Sequence, residues 1–233
     1  MNPQPICSLA AEPYEFALNP AVCALLIIDM QRDFLEPGGF GEALGNDVSL
    51  VRQVIVPNEK LLAAWRSRGL TVVHTREGHR PDLSDLPAAK LHRGRGRRRI
   101  GDAGSMGRLL VRGEPGHAII SQMAPQPREL VIDKPGKGAF WATELHAELQ
   151  ARNIRQLIVT GVTTEVCVQT TVREANDRGY DCLVPSDCVG SYFPGLHAAS
   201  LAMITSQGGI FGWVSTSKRI LQALTGIPAN QKI

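Results

Sequence analysis

Cys167 is the residue with the most chemistry to offer. It sits in Thr160-Gly161-Val162-Thr163-Thr164-Glu165-Val166-Cys167-Val168, after the apolar run 157–159 and before residues 170–178, which have helical composition and stop at Gly179. A thiol near the amino-terminal end of a helix meets unpaired backbone N–H groups and the positive end of the helix dipole. Those features lower a thiol's pKa and offer donors to an oxyanion. Two other residues stand in comparable contexts: Asp29 directly follows the apolar run 22–28, and Lys134 follows the run 129–133. The three types are complementary. A thiolate attacks a carbonyl, a carboxylate shuttles a proton, and an ammonium holds both anions in place. The set contains no imidazole, so it is not the cysteine-protease arrangement.

For these residues to meet, the apolar runs must be parallel strands whose carboxyl ends share one edge, where open α/β sheets build their sites. The sequence predicts strands over 22–28, 70–74, 129–133, 156–160, 180–184 and 210–214. Helical periodicity or composition predicts helices over 51–68, 143–152, 170–178 and 196–206, with a last helix from about Ser215 to Leu224. Pro57 sets the start of the regular part of the first helix. Strands alternating with helices of this length give an α/β fold with a parallel sheet and right-handed crossovers. Residues 1–20, with Pro3, Pro5, Pro13 and Pro20, read as an arm that could pack on a neighbour, and residues 21–233 as a single domain.

The bulk numbers restrict the function classes. At 233 residues with 43% hydrophobic and 20% charged content, the chain fits one ordinary globular domain. A net charge of +3 is too small to imply a nucleic-acid or membrane partner. No apolar run reaches the length of a membrane span, and the first twenty residues lack the pattern of a signal peptide. Cys7, Cys23, Cys167, Cys182 and Cys188 make an odd count without CxxC spacing, which argues against a disulfide framework and a structural zinc site. A reducing cytoplasm suits a free, working thiol. His74 and His79 have no Asp-x-His or His-x-His partner, so no metal and no cofactor are expected. Arg93, Arg95, Arg97, Arg98 and Arg99, interleaved with glycine, read first as a solvated loop. A nucleic-acid contact and a subunit-boundary ion pair are the alternatives, although no aromatic residues are interleaved for base stacking. Arg76, Glu77, His79 and Arg80 form either a salt-bridge cluster or the rim of a polar pocket.

Three segments together resemble the isochorismatase-like cysteine hydrolases: Leu26-Ile27-Ile28-Asp29-Met30-Gln31-x-Asp33-Phe34, Asp133-Lys134-Pro135, and Gly161-Val162-Thr163-Thr164-x-Val166-Cys167-Val168. The resemblance implies a Rossmann-like three-layer α/β/α fold with a six-stranded parallel sheet. It also implies catalytic roles for Asp29, Lys134 and Cys167, a cis peptide between Val162 and Thr163, and an oxyanion hole from the backbone N–H groups of Thr163 and Cys167. Within the family, His74-Thr75-Arg76-Glu77-Gly78-His79-Arg80-Pro81-Asp82, Arg112-Gly113-Glu114-Pro115-Gly116 and Lys134-Pro135-Gly136-Lys137-Gly138 are similar to its biuret-cleaving members. That similarity implies hydrolysis of biuret to allophanate and ammonia through a thioester, with Phe34 as a pocket wall and Lys137 and Gln207 as substrate contacts. Lys137 as a solvated lysine and Gln207 as a turn residue before Gly208-Gly209 are the bland alternatives. Triuret, ureidoacrylate and N-carbamoyl-sarcosine are the rival substrates, and a homo-oligomer, a tetramer by family resemblance, is the implied assembly.

Overall fold

Six consecutive buried residues, Cys23–Ile28, form the strand β1, and their alternation divides the core. Cys23, Leu25 and Ile27 join one apolar cluster with Leu61, Leu62, Trp65, Ile220 and Leu224. Ala24, Leu26 and Ile28 join the other with Leu145, Leu149, Val172, Ala175 and Ile204. Side chains of a strand alternate faces, so a strand that is apolar at every position must be covered on both sides. The computed structural model describes residues 6–93 and 98–226 and shows that covering. β1 is followed by β2 (Thr71–Glu77), β3 (Leu130–Lys134), β4 (Gln156–Val162), β5 (Asp181–Pro185) and β6 (Trp213–Ser215). The sheet order is β6-β5-β4-β1-β2-β3 with every pairing parallel, and the short segment Val189–Gly190 adds a seventh strand, paired parallel at the end of β4. The main helices are α1 (Ile55–Arg66), α2 (Leu145–Ala151), α3 (Gln169–Asn176), α4 (Pro194–Gly209) and α5 (Ser217–Leu224). The sheet is the expected three-layer α/β/α arrangement, and its order reverses between β1 and β4. Such a reversal opens a crevice at the strands' carboxyl ends.

Local chemistry explains where elements depart from the expected bounds. The stretch 51–68 is two helices, Val48–Arg52 and α1, and Pro57 falls in the first turn of α1, where no intrahelical N–H bond is needed. β2 runs three residues beyond His74, to Glu77, because its neighbours pair with it through Glu77↔Lys134. β6 begins at Trp213 rather than residue 210, since Gln207, Gly208, Gly209 and Gly212 all hold positive φ and break the chain between helix and strand.

The proline-containing arm folds back on its own chain. Cys7–Leu9 pairs antiparallel with Phe16–Leu18, and Glu12 exchanges both backbone hydrogen bonds with Val214 at 2.8 and 3.0 Å. Leu9, Phe16 and Leu18 are buried, and Tyr14 and Phe16 pack edge-on against Trp213. This ribbon covers the outer side of β6, an edge that would otherwise present unpaired backbone groups.

Of the arginine-rich stretch, Arg95 and Arg97 lie outside the described residues. Arg93, Arg98 and Arg99 are exposed, and Arg98 and Arg99 bond locally to Ala103 and Asp102. No helix among the described residues is long and apolar enough to cross a membrane.

Candidate active site

β1, β3 and β4 end at the same edge, and β2 between the first two contributes a fourth group. Asp29 follows β1 with φ 48°, in the left-handed region that Asp tolerates better than most residues, and the Gln31 N–H closes the turn on its carbonyl at 2.7 Å. Thr75 on β2 fixes it twice: its hydroxyl donates to Asp29 Oδ1 at 2.6 Å and accepts from the Asp29 N–H at 3.2 Å. Lys134, the last residue of β3, is fully buried and places Nζ 2.8 Å from Asp29 Oδ2. The same Nζ donates to the carbonyls of Gly136 and Lys137 at 3.0 and 2.9 Å, so the Pro-Gly turn is wrapped around the ammonium. Gly136 lies against the Trp141 ring, which a Cβ there would meet at 2.7 Å.

Cys167 stands in a single π-helical turn, Thr164–Val168, that leads directly into α3. Such turns recur at functional sites because they push one residue out of the regular helical path. The peptide between Val162 and Thr163 is cis, as the resemblance implied. Immediately before it, Gly161 at φ 103° approaches β1 so closely that a Cβ would lie 1.9 Å from the Ile28 carbonyl oxygen. Only glycine fits that approach. On the far side, Thr171 of α3 accepts from Ala139 N–H and Glu174 accepts from Phe140 N–H, which ties the loop carrying Lys137 to the helix carrying the thiol.

The group that sequence reasoning left in an ambiguous cluster is Glu77. It is fully buried, and its Oε2 accepts from Cys167 Sγ at 3.3 Å. Lys137 donates to Oε1 at 2.5 Å, Lys90 lies 3.5 Å from Oε1, and Lys134 lies 3.6 Å from Oε2. Gln31 clamps its backbone, receiving the Glu77 N–H at 2.7 Å and donating to the Glu77 carbonyl at 3.0 Å. Donor atoms of Asp29, Glu77 and Cys167 all lie within 4.8 Å of one another. The cation set among them is the Lys134 ammonium. His74 and His79 are engaged elsewhere, His74 with Glu129 and His79 with Asp85 and Lys90.

Electrostatics here differ from the expectation of an acidic thiol. Burial pushes the Cys167 thiol well above its ordinary pKa; Lys134 opposes this, and the Asp29 and Glu77 charges add to it. The thiol is therefore protonated at rest and needs a base in contact. Burial works to raise Glu77 as well, but the ammonium groups of Lys134, Lys137 and Lys90 outweigh it and hold that carboxyl at about 2. Asp29 goes the other way, raised by burial against the pull of Lys134. Burial acts to lower Lys134, yet Asp29, Cys167 and Glu77 together hold it above the usual lysine range.

Of the expected substrate contacts, Phe34 is buried and edge-on to Phe40, and its carbonyl accepts from Tyr192 at 2.7 Å. Lys137 joins the site through Glu77, with its side chain 40% exposed. Gln207 is exposed at the break in α4, and its side chain makes no hydrogen bond or ion pair among the described residues. The assembled groups can run acyl transfer: a nucleophile, two carboxylates of opposite tendency and a fixed cation, with Cys167 only 4% exposed.

Comparison with known proteins identifies relatives of the chain and of its fold. Residues 23–219 match the isochorismatase domain. The chain is 32% identical over 228 residues to the ureidoacrylate amidohydrolase RutB of Methylobacterium radiotolerans, covering 95% of this chain and 86% of that protein. Its fold is similar to the crystal structure of a cysteine hydrolase from Pseudomonas syringae pv. phaseolicola, with a TM-score of 0.76, 26% identity and coverage of 97% and 99% of the two chains. An isochorismatase family protein from Desulfovibrio vulgaris aligns with a TM-score of 0.71 at 27% identity, covering 88% of this chain and 98% of its own.

Proposed function

The chain belongs to the isochorismatase family, and within it we propose that it is a cysteine amidohydrolase cutting a terminal C–N bond of a small ureide, biuret first. The observation that carries this reading is the buried thiol in contact with a carboxylate and beside a paired lysine. Cys167 is the nucleophile. Its attack on a terminal carbonyl gives a tetrahedral adduct, and the main-chain N–H groups of Thr163 and Cys167 are the proposed oxyanion donors. Losing one such donor costs about 3 kcal/mol in the barrier. Asp29 is the proton shuttle: it delivers a proton to the departing ammonia and then activates the water that hydrolyses the thioester, which frees allophanate when the substrate is biuret. Lys134 holds the anions in place throughout.

A nearly closed site favours a small, flat substrate. Lys137, half exposed beside Glu77, offers N–H donors to a ureide carbonyl, Phe34 serves as an apolar wall, and Gln207 is kept as a contact for the far end of the ligand. Ureidoacrylate is the second reading, supported by the 32% identity to a protein of that name. Homo-oligomeric assembly is proposed on the exposed face of α4.

Ammonia release from biuret, triuret and ureidoacrylate, compared side by side, tests the reading. Biuret is expected to exceed the others at least tenfold. Faster release from ureidoacrylate moves the assignment to the second reading, and no release from any ureide by folded protein ends the amidohydrolase proposal. Cys167→Ser should melt like the parent and bind substrate without turnover; ammonia formation at the parental rate would remove Cys167 as nucleophile.

A further inference from the structure

We infer that Glu77 is a further catalytic residue, the group that takes the proton from the Cys167 thiol before that proton reaches Asp29. The inference rests on the amidohydrolase reading above and deepens it.

Position comes first. Glu77 Oε2 is the hydrogen-bond acceptor of Cys167 Sγ at 3.3 Å. Asp29 Oδ1 accepts from Thr75 at 2.6 Å, Oδ2 lies 2.8 Å from the Lys134 ammonium without a hydrogen bond, and neither accepts from the thiol among the described residues. Glu77 cannot swing away, because Gln31 fixes its backbone from both sides and Lys137 holds the opposite carboxylate oxygen.

Charge is the second observation. Glu77 is faced by Asp29 from the end of β1, Lys134 and Lys137 from β3 and its turn, Lys90 from the short helix Ala88–Leu91, and Cys167 from the π turn. His79 and Asp85 stand behind Lys90. Three ammonium groups on one buried carboxylate exceed what a structural ion pair needs. They suit a place where one negative charge must be stable at either of two atoms. Moving a proton from Sγ to Oε2 leaves the net charge of the cluster unchanged, so the lysines stabilise the state before and the state after.

The step balances. The S–H bond breaks and an O–H bond forms at Glu77 Oε2, while the sulfur electron pair forms the S–C bond to the substrate carbonyl. Lys134, 2.8 Å from Asp29 Oδ2 and 3.6 Å from Glu77 Oε2, gives one of its ammonium protons to Asp29 and is reprotonated by Glu77. Asp29 then protonates the nitrogen as the C–N bond breaks. The thiol loses one proton, ammonia gains one, and Glu77, Lys134 and Asp29 return to their starting charges.

Two measurements on the full chain test this. In the first, kcat/KM against pH is compared for the parent, Glu77→Gln, Glu77→Asp and Asp29→Asn. Glu77→Gln should lose about 100-fold or more near neutral pH, and its rate should rise about tenfold per pH unit as the thiol ionises unaided, where the parent profile is nearly flat. Glu77→Asp should restore the flat profile at a reduced rate. A flat profile in Glu77→Gln, or a loss under threefold, overturns the assignment. The second measurement needs no substrate: alkylation of Cys167 by iodoacetamide, followed by peptide mass across the same pH range. The parent should react with little pH dependence, whereas Glu77→Gln should show a tenfold rise per pH unit. Parallel profiles overturn the inference even if no ureide is ever hydrolysed, so its failure and that of the substrate reading are told apart.

Discussion

His117 is buried beside Arg76, Arg112 and Asp133, with Nε2 lacking a hydrogen-bond partner. Burial first, and then the Arg76 and Arg112 charges, hold its pKa at about 4 against the opposing pull of Asp133. Unfolded histidine titrates near 6.5. Below that value the unfolded chain binds a proton that the folded chain refuses, so the contribution is full above about 6.5 and is lost as pH falls towards 4. The size is on the order of 3 kcal/mol. Urea unfolding at pH 7.5, 5.5 and 4.0 should show the parent losing stability over this window and His117→Gln losing distinctly less; equal slopes would rule His117 out as the cause. Glu129, held at about 2 by Arg66, the Gln126 N–H and His74 in spite of its burial, contributes stability lost at lower pH, below the ordinary carboxyl range. At this same scale, Asp29, Lys134 and Cys167 were legible because each directly follows an apolar run or its turn. Glu77 was not, because the polar triplet Thr75-Arg76-Glu77 hides the continuation of β2 and makes a strand end look like a loop. The acidity of the thiol was misjudged for a related reason. Helix position can be read from spacing, whereas the depth of burial and the two neighbouring carboxylates emerge only when strands from distant parts of the chain meet.

The strand-turn-helix element around Cys167 depends on a contact that tolerates no side chain. Gly161→Ala would bring a Cβ to 1.9 Å from the Ile28 carbonyl at a φ of 103°. Backbone strain and overpacking together should cost roughly 3 kcal/mol or more. Thermal unfolding should show the drop, and a variant with the parental midpoint would mean that β1 and β4 can part without loss. Thr216 caps α5 through a hydrogen bond from Arg219 N–H. Thr216→Ala should cost about 1 kcal/mol without touching turnover. The sheet itself was readable from alternating apolar runs and helices, and its strand order places the crevice where such folds place it. What periodicity could not give was the break at the end of α4, where non-helical torsions sit inside a run of small and polar residues.

For the molecule as a whole, α4 poses the clearest question. Its sixteen residues include no Asp, Glu, Lys or Arg, only Ser200 and Ile204 are buried, and Phe193, Leu196, Met203 and Ile210 stand exposed along it. An apolar face of this kind is what the proposed homo-oligomer would cover. Sedimentation velocity should give a mass above the 25.2 kDa of one chain, and Met203→Glu should shift it towards that value. A parent that sediments as a single chain at micromolar concentration contradicts the assembly. The amino-terminal ribbon belongs to this scale as well. From sequence it read as an arm that could pack on a neighbour, yet it covers the chain's own sheet edge, because Tyr14 and Phe16 find Trp213 there and Glu12 pairs with Val214.

The close packing of Gly136 on Trp141 has a spectroscopic consequence. Of the three tryptophans, Trp65 is sealed in the core and Trp213 senses the ribbon, whereas Trp141 is about half exposed and leans on the turn that wraps Lys134 and leads into Lys137. The emission of Trp141 should therefore change when the site fills, against the signal of the other two. A ligand too poor to be hydrolysed should then be measurable by a fluorescence titration.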